Sequence, residues 1–354
     1  MAKQVIPAVT DDFLKRDGLT ATPLAWEDGL RASTGPGSFE WWYFDAHFPD
    51  GSSAVIVYAT KPLTQRNDPL TPVVMLTITR PDGKRTPSSK VCPAVQFAGA
   101  KDRCDVRIGS SWVRGDLHRY NVYAETQGLA ANLTFTGCVP PWRPGAGKCY
   151  FDQALTRYFA WLPAIPFGHV EGTLTYDGHA HWVEGTGYHD HNWGTVSLSD
   201  VMSHWYWGRA HVGDFTVIFV EQVATAEYGH QKLPVFMLAK GDQILTGDGG
   251  PLQLQVGELQ KHPGGREYPG QVDFHWQGAE GTVDIALRQP QIIEASSLLV
   301  FLPAWKQRLL RHFANPYYFR FSAGIQLSVD LPGLGGGVQA AESGQAIYEL
   351  MLLR

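Results

Sequence analysis

The sequence predicts an all-β protein of antiparallel strands, arranged as sandwiches or barrels. Short runs rich in Val, Ile, Thr, Tyr, Phe and Trp recur along the chain, bounded by Gly, Pro, Asp or Asn. Gly (38) and Pro (23) are frequent, which favours short strands over long helices. Pro49-Asp50-Gly51, Pro81-Asp82-Gly83 and Asp177-Gly178 are turn sequences with strand-like runs on either side.

Taken in order, residues 1–24 read as a polar N-terminal arm. Ser38–Ala46 and Ser53–Thr60 form a hairpin about the first Pro-Asp-Gly turn. Strands follow at Val73–Arg80, Val91–Phe97, Val106–Ile108, Ser111–Leu117, Tyr120–Thr126 and Ala130–Gly137. Val139–Lys148 is a Pro/Gly loop. Asp152–Leu162 is expected as a short helix, because Leu155, Tyr158, Phe159 and Leu162 fit a helical period. Val170–Tyr176 and Ala180–Gly187 make a hairpin about Asp177-Gly178. A chain of 354 residues exceeds one ordinary core, so two domains are expected, 25–197 and 198–354, with the boundary near Thr195–Met202. The second half carries strands at His204–Val212, Phe215–Val223, Pro234–Lys240, Gln243–Gly247, Leu252–Val256, Gln271–Gln277, Gly281–Leu287, Tyr318–Val329 and Ala346–Leu353. An amphipathic helix is expected at Pro303–Phe313, with Trp305, Leu309 and Phe313 on one face.

Composition narrows the partners. The net charge is −5 and no long Lys/Arg run occurs, which argues against nucleic acid and against an anionic membrane surface. No run of about 18 apolar residues exists to span a membrane. The N-terminus lacks the apolar stretch of a signal peptide, so a cytoplasmic location is expected. In that setting Cys92, Cys104, Cys138 and Cys149 read as free thiols, with Cys92–Cys104 or Cys138–Cys149 disulfides as the alternative. With 12 Trp, 14 Tyr and 17 Phe, the chain has rings enough for large cores or an aromatic-lined cavity.

The chemistry concentrates in Gly185–Gly194, where His189, Asp190, His191, Asn192 and Trp193 are consecutive. Gly185, Gly187 and Gly194 flank them and tolerate backbone angles that other residues avoid. On a strand, Tyr188, Asp190 and Asn192 share one face and His189, His191 and Trp193 the other. Two histidines at i and i+2 would give two metal ligands, with His204 and His211 the nearest others in sequence. A buried structural His189–Asp190 pair is the plainer reading. Glu221 lies in an otherwise apolar strand, where desolvation would favour the protonated form that a general acid needs. A strand-end Glu that reaches water is its alternative. Trp41, Tyr43 and Asp45 alternate with Glu40, Trp42 and Phe44 on another aromatic strand, where Asp45 reads as a buried anchor, with a site acid as the alternative. Trp205, Tyr206 and Trp207 form a third aromatic cluster, suited to a cation or to ordinary core. No G-x-S-x-G elbow, phosphate loop or dinucleotide fingerprint is present.

Phe39–Asp45 with its Pro-Asp-Gly turn resembles the opening strand of the carotenoid 1,2-hydratase (hydroxyneurosporene synthase) and AttH-like lipocalin family. Val170–Gly178 running into Gly187–Gly194, then an aromatic strand at His204–Gly208, resembles the family's second signature. The family also includes kievitone hydratases and fungal decalin-forming Diels–Alderases. The resemblance implies two tandem lipocalin-like (calycin) antiparallel β-barrel domains with one or two short helices. It also implies a histidine and tryptophan in an H-x-W pair, matched by His191-Asn192-Trp193, and an acid on a following strand. Glu221 matches that acid, as Glu where the family has Asp.

The resulting expectation is an enzyme without a cofactor or metal, acting on an apolar unsaturated small molecule of isoprenoid or polyketide type. Glu221 or Asp190 would protonate an alkene, leading to hydration or cyclisation, while His191 orients the acid or water. Trp193, Tyr188, Trp205, Tyr206, Trp42 and Phe219 would contact the substrate. The alternatives are a pericyclase that folds a linear polyene and a non-catalytic lipid or pigment carrier. No nucleic-acid partner is expected, a loose membrane association would serve substrate access, and the oligomeric state is left open.

Overall fold

The computed structural model describes residues 2–62, 65–297 and 316–354. The chain divides into two compact units, Ile6–Ser197, and Leu198–Arg354 together with Met1–Val5. The helix expected at Pro303–Phe313 lies outside the described residues. None of the described helices is long and apolar enough to cross a membrane.

In chain order the first unit holds β1 (Ile6–Pro7), α1 (Asp11–Asp17), β2 (Phe39–His47), β3 (Ser53–Ala59), β4 (Val73–Thr79), β5 (Arg85–Val91), β6 (Phe97–Gly99), β7 (Cys104–Ile108), β8 (Ser111–Gly115), β9 (Arg119–Thr126), β10 (Leu129–Gly137), β11 (Lys148–Tyr150), β12 (Tyr158–Tyr176) and β13 (His179–Gly194). They form one sheet in the order β5-β4-β3-β2-β13-β12-β10-β9-β8-β7-β6, with β11 on β12 and β1 on β11. The sheet curls until its two halves share a core. Trp42, Phe44, Tyr58 and Leu76 from one half pack with Tyr120, Val122, Leu133 and Phe135 from the other. The Tyr58 hydroxyl on β3 crosses this core to the carbonyls of Trp112 and Tyr123, at 2.9 and 2.7 Å.

The second unit holds α2 (Leu198–Val201), β14 (Met202–Val212), β15 (Phe215–Ala224), β16 (Lys232–Lys240), β17 (Gln243–Thr246), β18 (Leu252–Lys261), β19 (Glu267–Gly278), β20 (Gly281–Ser297), β21 (Tyr317–Leu331) and β22 (Val338–Leu352). Its sheet runs β17-β16-β15-β14-β22-β21-β20-β19-β18 around a core of Phe219, Phe236, Phe274, Trp276, Phe321 and Tyr348. Both units are antiparallel lipocalin-like barrels, in which alternate residues fill the interior.

Several local expectations need correction. The helix expected over Asp152–Leu162 is a turn followed by the start of β12. The Asp152 carboxylate accepts from the backbone N–H groups of Thr156 and Arg157, at 2.9 and 3.0 Å, and Leu155 takes a φ of 56°. That left-handed residue ends any helix. The strand expected at Val91–Phe97 is instead the end of β5, a 3-10 turn at Ala94–Gln96 and the start of β6. All four cysteines are free. The Asp177-Gly178 hairpin forms as its sequence demands, both residues having positive φ, 52° and 78°.

Candidate functional site

Strand β13 lies between β2 and β12, with Asp190 paired to Tyr43 and Pro163, and His191 paired to Trp42 and Leu162. The flanking glycines are needed here for space rather than for unusual backbone angles, since none of Gly185, Gly187 and Gly194 has positive φ. A Cβ on Gly187 would stand 2.5 Å from the Asp45 carbonyl oxygen and 2.7 Å from the Phe135 ring.

The two faces of β13 carry different chemistry. On the inner face, His189 and His191 have no exposure, so no water-sized space adjoins either ring. His189 Nδ1 lies 2.9 Å from the Tyr43 carbonyl and its Nε2 3.2 Å from Asp28 Oδ2. His191 Nε2 lies 2.7 Å from Glu40 Oε1, and its Nδ1 forms an ion-pair contact with Asp28 Oδ1 at 3.3 Å, off hydrogen-bond alignment. All four ring nitrogens face oxygens, three of them in hydrogen-bond alignment. The set is completed by Tyr120, whose hydroxyl donates to Asp28 Oδ2 at 2.6 Å. Arg31 and Ala32 backbone N–H groups donate to Glu40, both at 2.7 Å. The rings of Phe44 and Trp42 stack on His189 and His191 at 3.8 and 4.7 Å. Burial alone would raise the Asp28 carboxyl, but the charge and hydrogen bond of His189, the charge of His191 and the Tyr120 hydroxyl hold it below its ordinary value.

Asp28, Cys104 and His189 bring their ligand atoms within 4.8 Å of one another and are the described residues that could hold a metal ion here. Burial and the neighbouring carboxylates push the Cys104 thiol well up. Asp28 and His189 already bind protein groups.

On the outer face Asp190 is almost fully buried, and three side chains aim donors at it. Trp161 Nε1 and the Tyr188 hydroxyl reach Oδ2, each at 2.8 Å, and Asn192 Nδ2 reaches Oδ1 at 2.7 Å. Burial pushes its carboxyl above the ordinary value, and the three donors and the His189 charge pull it back only in part. Trp142 meets Trp161 edge to face at 6.2 Å. Asp45, paired with Tyr188 across the strands, accepts from the Tyr43 hydroxyl at 3.2 Å. The outer face therefore combines buried aromatic rings with two buried carboxyls.

The other residues expected at the site divide between surfaces and cores. Trp42 and Trp193 are built into the first core, the Trp42 Nε1 donating to the Asp28 carbonyl at 2.9 Å. Glu221, Trp205, Tyr206 and Phe219 belong to the second unit. Phe219 is core, packed on Phe274 at 4.8 Å. Glu221 is buried and paired with Lys232 at 3.1 Å, a neighbour that the expectation of an isolated acid did not include. Tyr206 sits opposite Glu221, and burial with that charge raises its hydroxyl to about 12. Trp205 alternates to the other face of β14 and is half-buried. His204 and His211, the spare metal ligands considered, are also in the second unit, where His211 pairs with Thr216 at 2.9 Å. Sequence reasoning missed Trp161, Asp28, Tyr120 and Cys104.

A family model described as Diels-Alderase-like matches residues 32–250. The chain belongs to the Diels-Alderase-like family. Among its relatives is the quinolone epoxide rearrangement protein asqO of Emericella nidulans, 24% identical over 269 residues, covering 66% of this chain and 67% of that protein. The quinolone epoxide rearrangement protein penF of Penicillium thymicola is 30% identical over 122 residues, and that match spans only 32% of this chain and 34% of the relative. The crystal structure of CghA with Sch210972 shares the fold, with a TM-score of 0.63 at 13% identity over 99% of both chains. The Diels-Alderase-like match covers β2, β12 and β13, so both faces of Gly185–Gly194 lie inside it.

Proposed function

We propose that this Diels-Alderase-like protein is an enzyme that rearranges, closes or hydrates an apolar unsaturated small molecule, with Asp190 as the proton donor. One observation carries the reading: Asp190 is a buried carboxyl, raised in pKa, held by three side-chain donors on an aromatic outer face. An acid whose pKa is raised by burial keeps its proton nearer to neutral pH. Protonating an alkene or an epoxide oxygen generates positive charge beside the ring. The faces of Trp161 and Trp142 suit such charge. The quinolone epoxide rearrangement proteins support a substrate of this class, since opening an epoxide begins with a proton on its oxygen. We assign the acid to Asp190 rather than Glu221, whose carboxylate is already bound to Lys232. His191, enclosed on all sides, serves by holding β13 and not by touching substrate. The chemistry asks for no group beyond the chain's own side chains, and a cytoplasmic location suits it.

The test is conversion of a quinolone epoxide, followed by mass spectrometry, with wild-type protein and Asp190→Asn. Loss of a positioned acid should lower kcat by about 10²–10⁴-fold with the fold intact. Full turnover by Asp190→Asn would remove the acid and favour a pericyclic enzyme that acts by shape alone. Recovery of the epoxide unchanged from the wild-type mixture would favour a carrier.

A further inference from the structure

The hairpin between β18 and β19 borders a cavity of about 550 Å³, lined by Lys261, His262, Gly265, Arg266, Glu267 and, from β22, Leu352. Its tip is held by the His262 N–H donating to the Arg266 carbonyl at 2.8 Å and the Gly265 N–H to the His262 carbonyl at 2.9 Å. His262 Nδ1 accepts from the Gly264 N–H at 3.0 Å and lies 3.2 Å from the Tyr317 hydroxyl. A ring nitrogen that accepts carries no proton, so neutral His262 bears its proton on Nε2. The rings of Tyr317 and Phe319, at 5.7 and 5.3 Å, fix the plane of the imidazole. That Nε2–H has no acceptor among the described residues.

Arg266 shows the same deficit. Its Nη2 donates to the Arg354 carbonyl, but its Nε is buried without an acceptor among the described residues. Partial burial also holds this guanidinium below its ordinary pKa, a cost that a bound anion would offset. Lys261 faces Glu267 in the hairpin register, yet the two form no ion pair. Two cations, an imidazole donor and one carboxylate thus line the cavity, with Leu352 as an apolar wall.

We propose that this cavity binds a small organic anion, a carboxylate or sulfonate carried on an apolar body. Lys261 and Arg266 meet the charge, His262 Nε2–H donates to an oxygen, and Leu352 packs against the body. The volume is far larger than an inorganic oxyanion needs, and Leu352 would be wasted on one. The site lies wholly within the second unit and stands whatever role Asp190 has.

Two fluorescent probes with nearly the same rings decide the matter on the full-length protein. 1-Anilinonaphthalene-8-sulfonate carries a sulfonate, and N-phenyl-1-naphthylamine carries no charge. The sulfonate should bind the wild type, and Lys261→Met with Arg266→Met should weaken it by about tenfold or more, while the neutral probe changes by less than about twofold. Lys261 is exposed, so Lys261→Met alone keeps the fold and should weaken the sulfonate by roughly threefold. Absence of sulfonate binding to the wild type, unchanged affinity in both variants, or equal loss of both probes would each overturn the proposal.

Discussion

His191 donates from Nε2 to Glu40 Oε1 across 2.7 Å, and neither side chain has any contact with solvent. The carboxylate also takes the Arg31 and Ala32 N–H groups, so one side chain ties β13 to the chain segment before β2. Glu40→Ala would leave three donors, one of them on the His191 ring, without an acceptor in a closed interior. Breaking a buried pair from one side costs about 3–5 kcal/mol. The urea midpoint should fall by that equivalent, and Glu40→Gln, which keeps one acceptor oxygen, should lose less. Equal midpoints for Glu40→Ala and wild type would show that the network contributes nothing to folding.

The carboxyls on the two faces of β13 should give opposite pH dependences. Asp28 is held below its ordinary value in the fold. Its contribution is present above the unfolded value of about 3.9 and is lost as pH falls through the folded one. Asp190 is raised. Its contribution is complete below about pH 3.9 and is lost as pH rises through the folded value. Thermal melts between about pH 3 and 8 should therefore be flatter below pH 4 in Asp28→Asn. The Tm of Asp190→Asn relative to wild type should climb as pH rises from about 4 through the raised folded value and then level off. A difference independent of pH would contradict the assignment for Asp190.

Gly187 is where β13 passes closest to its neighbours. A methyl group there would meet the Asp45 carbonyl at 2.5 Å, Val170 Cγ2 at 2.6 Å and the Phe135 ring at 2.7 Å. The first is backbone and cannot swing aside. Gly187→Ala should destabilise the first unit by about 1–3 kcal/mol through overpacking. Gly178, whose Cβ would meet nothing, should tolerate the added methyl sterically but suffer from its φ of 78°. Denaturation of the two variants side by side separates crowding from backbone strain.

The contrast between these glycines shows what was legible in the chain. Asp177-Gly178 announces its turn because only a few residue types accept positive φ. The alternation over Tyr188–Trp193 is legible for a similar reason, since a strand leaves no other arrangement. The crowding at Gly187 depends on Asp45, Val170 and Phe135, which arrive from three other strands. Trp161 was hidden because β12 is buried on both faces from Ala160 to Gly168, so its pattern loses the period of two and mimics a helix. Asp28 lies 161 residues from His189 in a short turn with no motif of its own. Lys232 reaches Glu221 from the next strand, and no local reading of the apolar run Phe215–Val220 could supply it.

Tyr188 offers the most direct check on the proposed acid. Its hydroxyl donates to Asp190 Oδ2 at 2.8 Å, a bond that favours the ionised carboxylate and so opposes the effect of burial. Tyr188→Phe removes that donor, while Trp161 and Asn192 keep the carboxyl in place. The Asp190 pKa should rise further. If the protonated form is the active one, the rate falls as pH climbs through this pKa, so Tyr188→Phe should carry activity to higher pH. Glu221→Gln should leave the profile where it was, because Glu221 has Lys232 as its own partner in the second unit. The measurement is kcat against pH for wild type and the two variants. A profile that moves with Glu221→Gln and stays fixed with Tyr188→Phe would transfer the acid from Asp190 to Glu221.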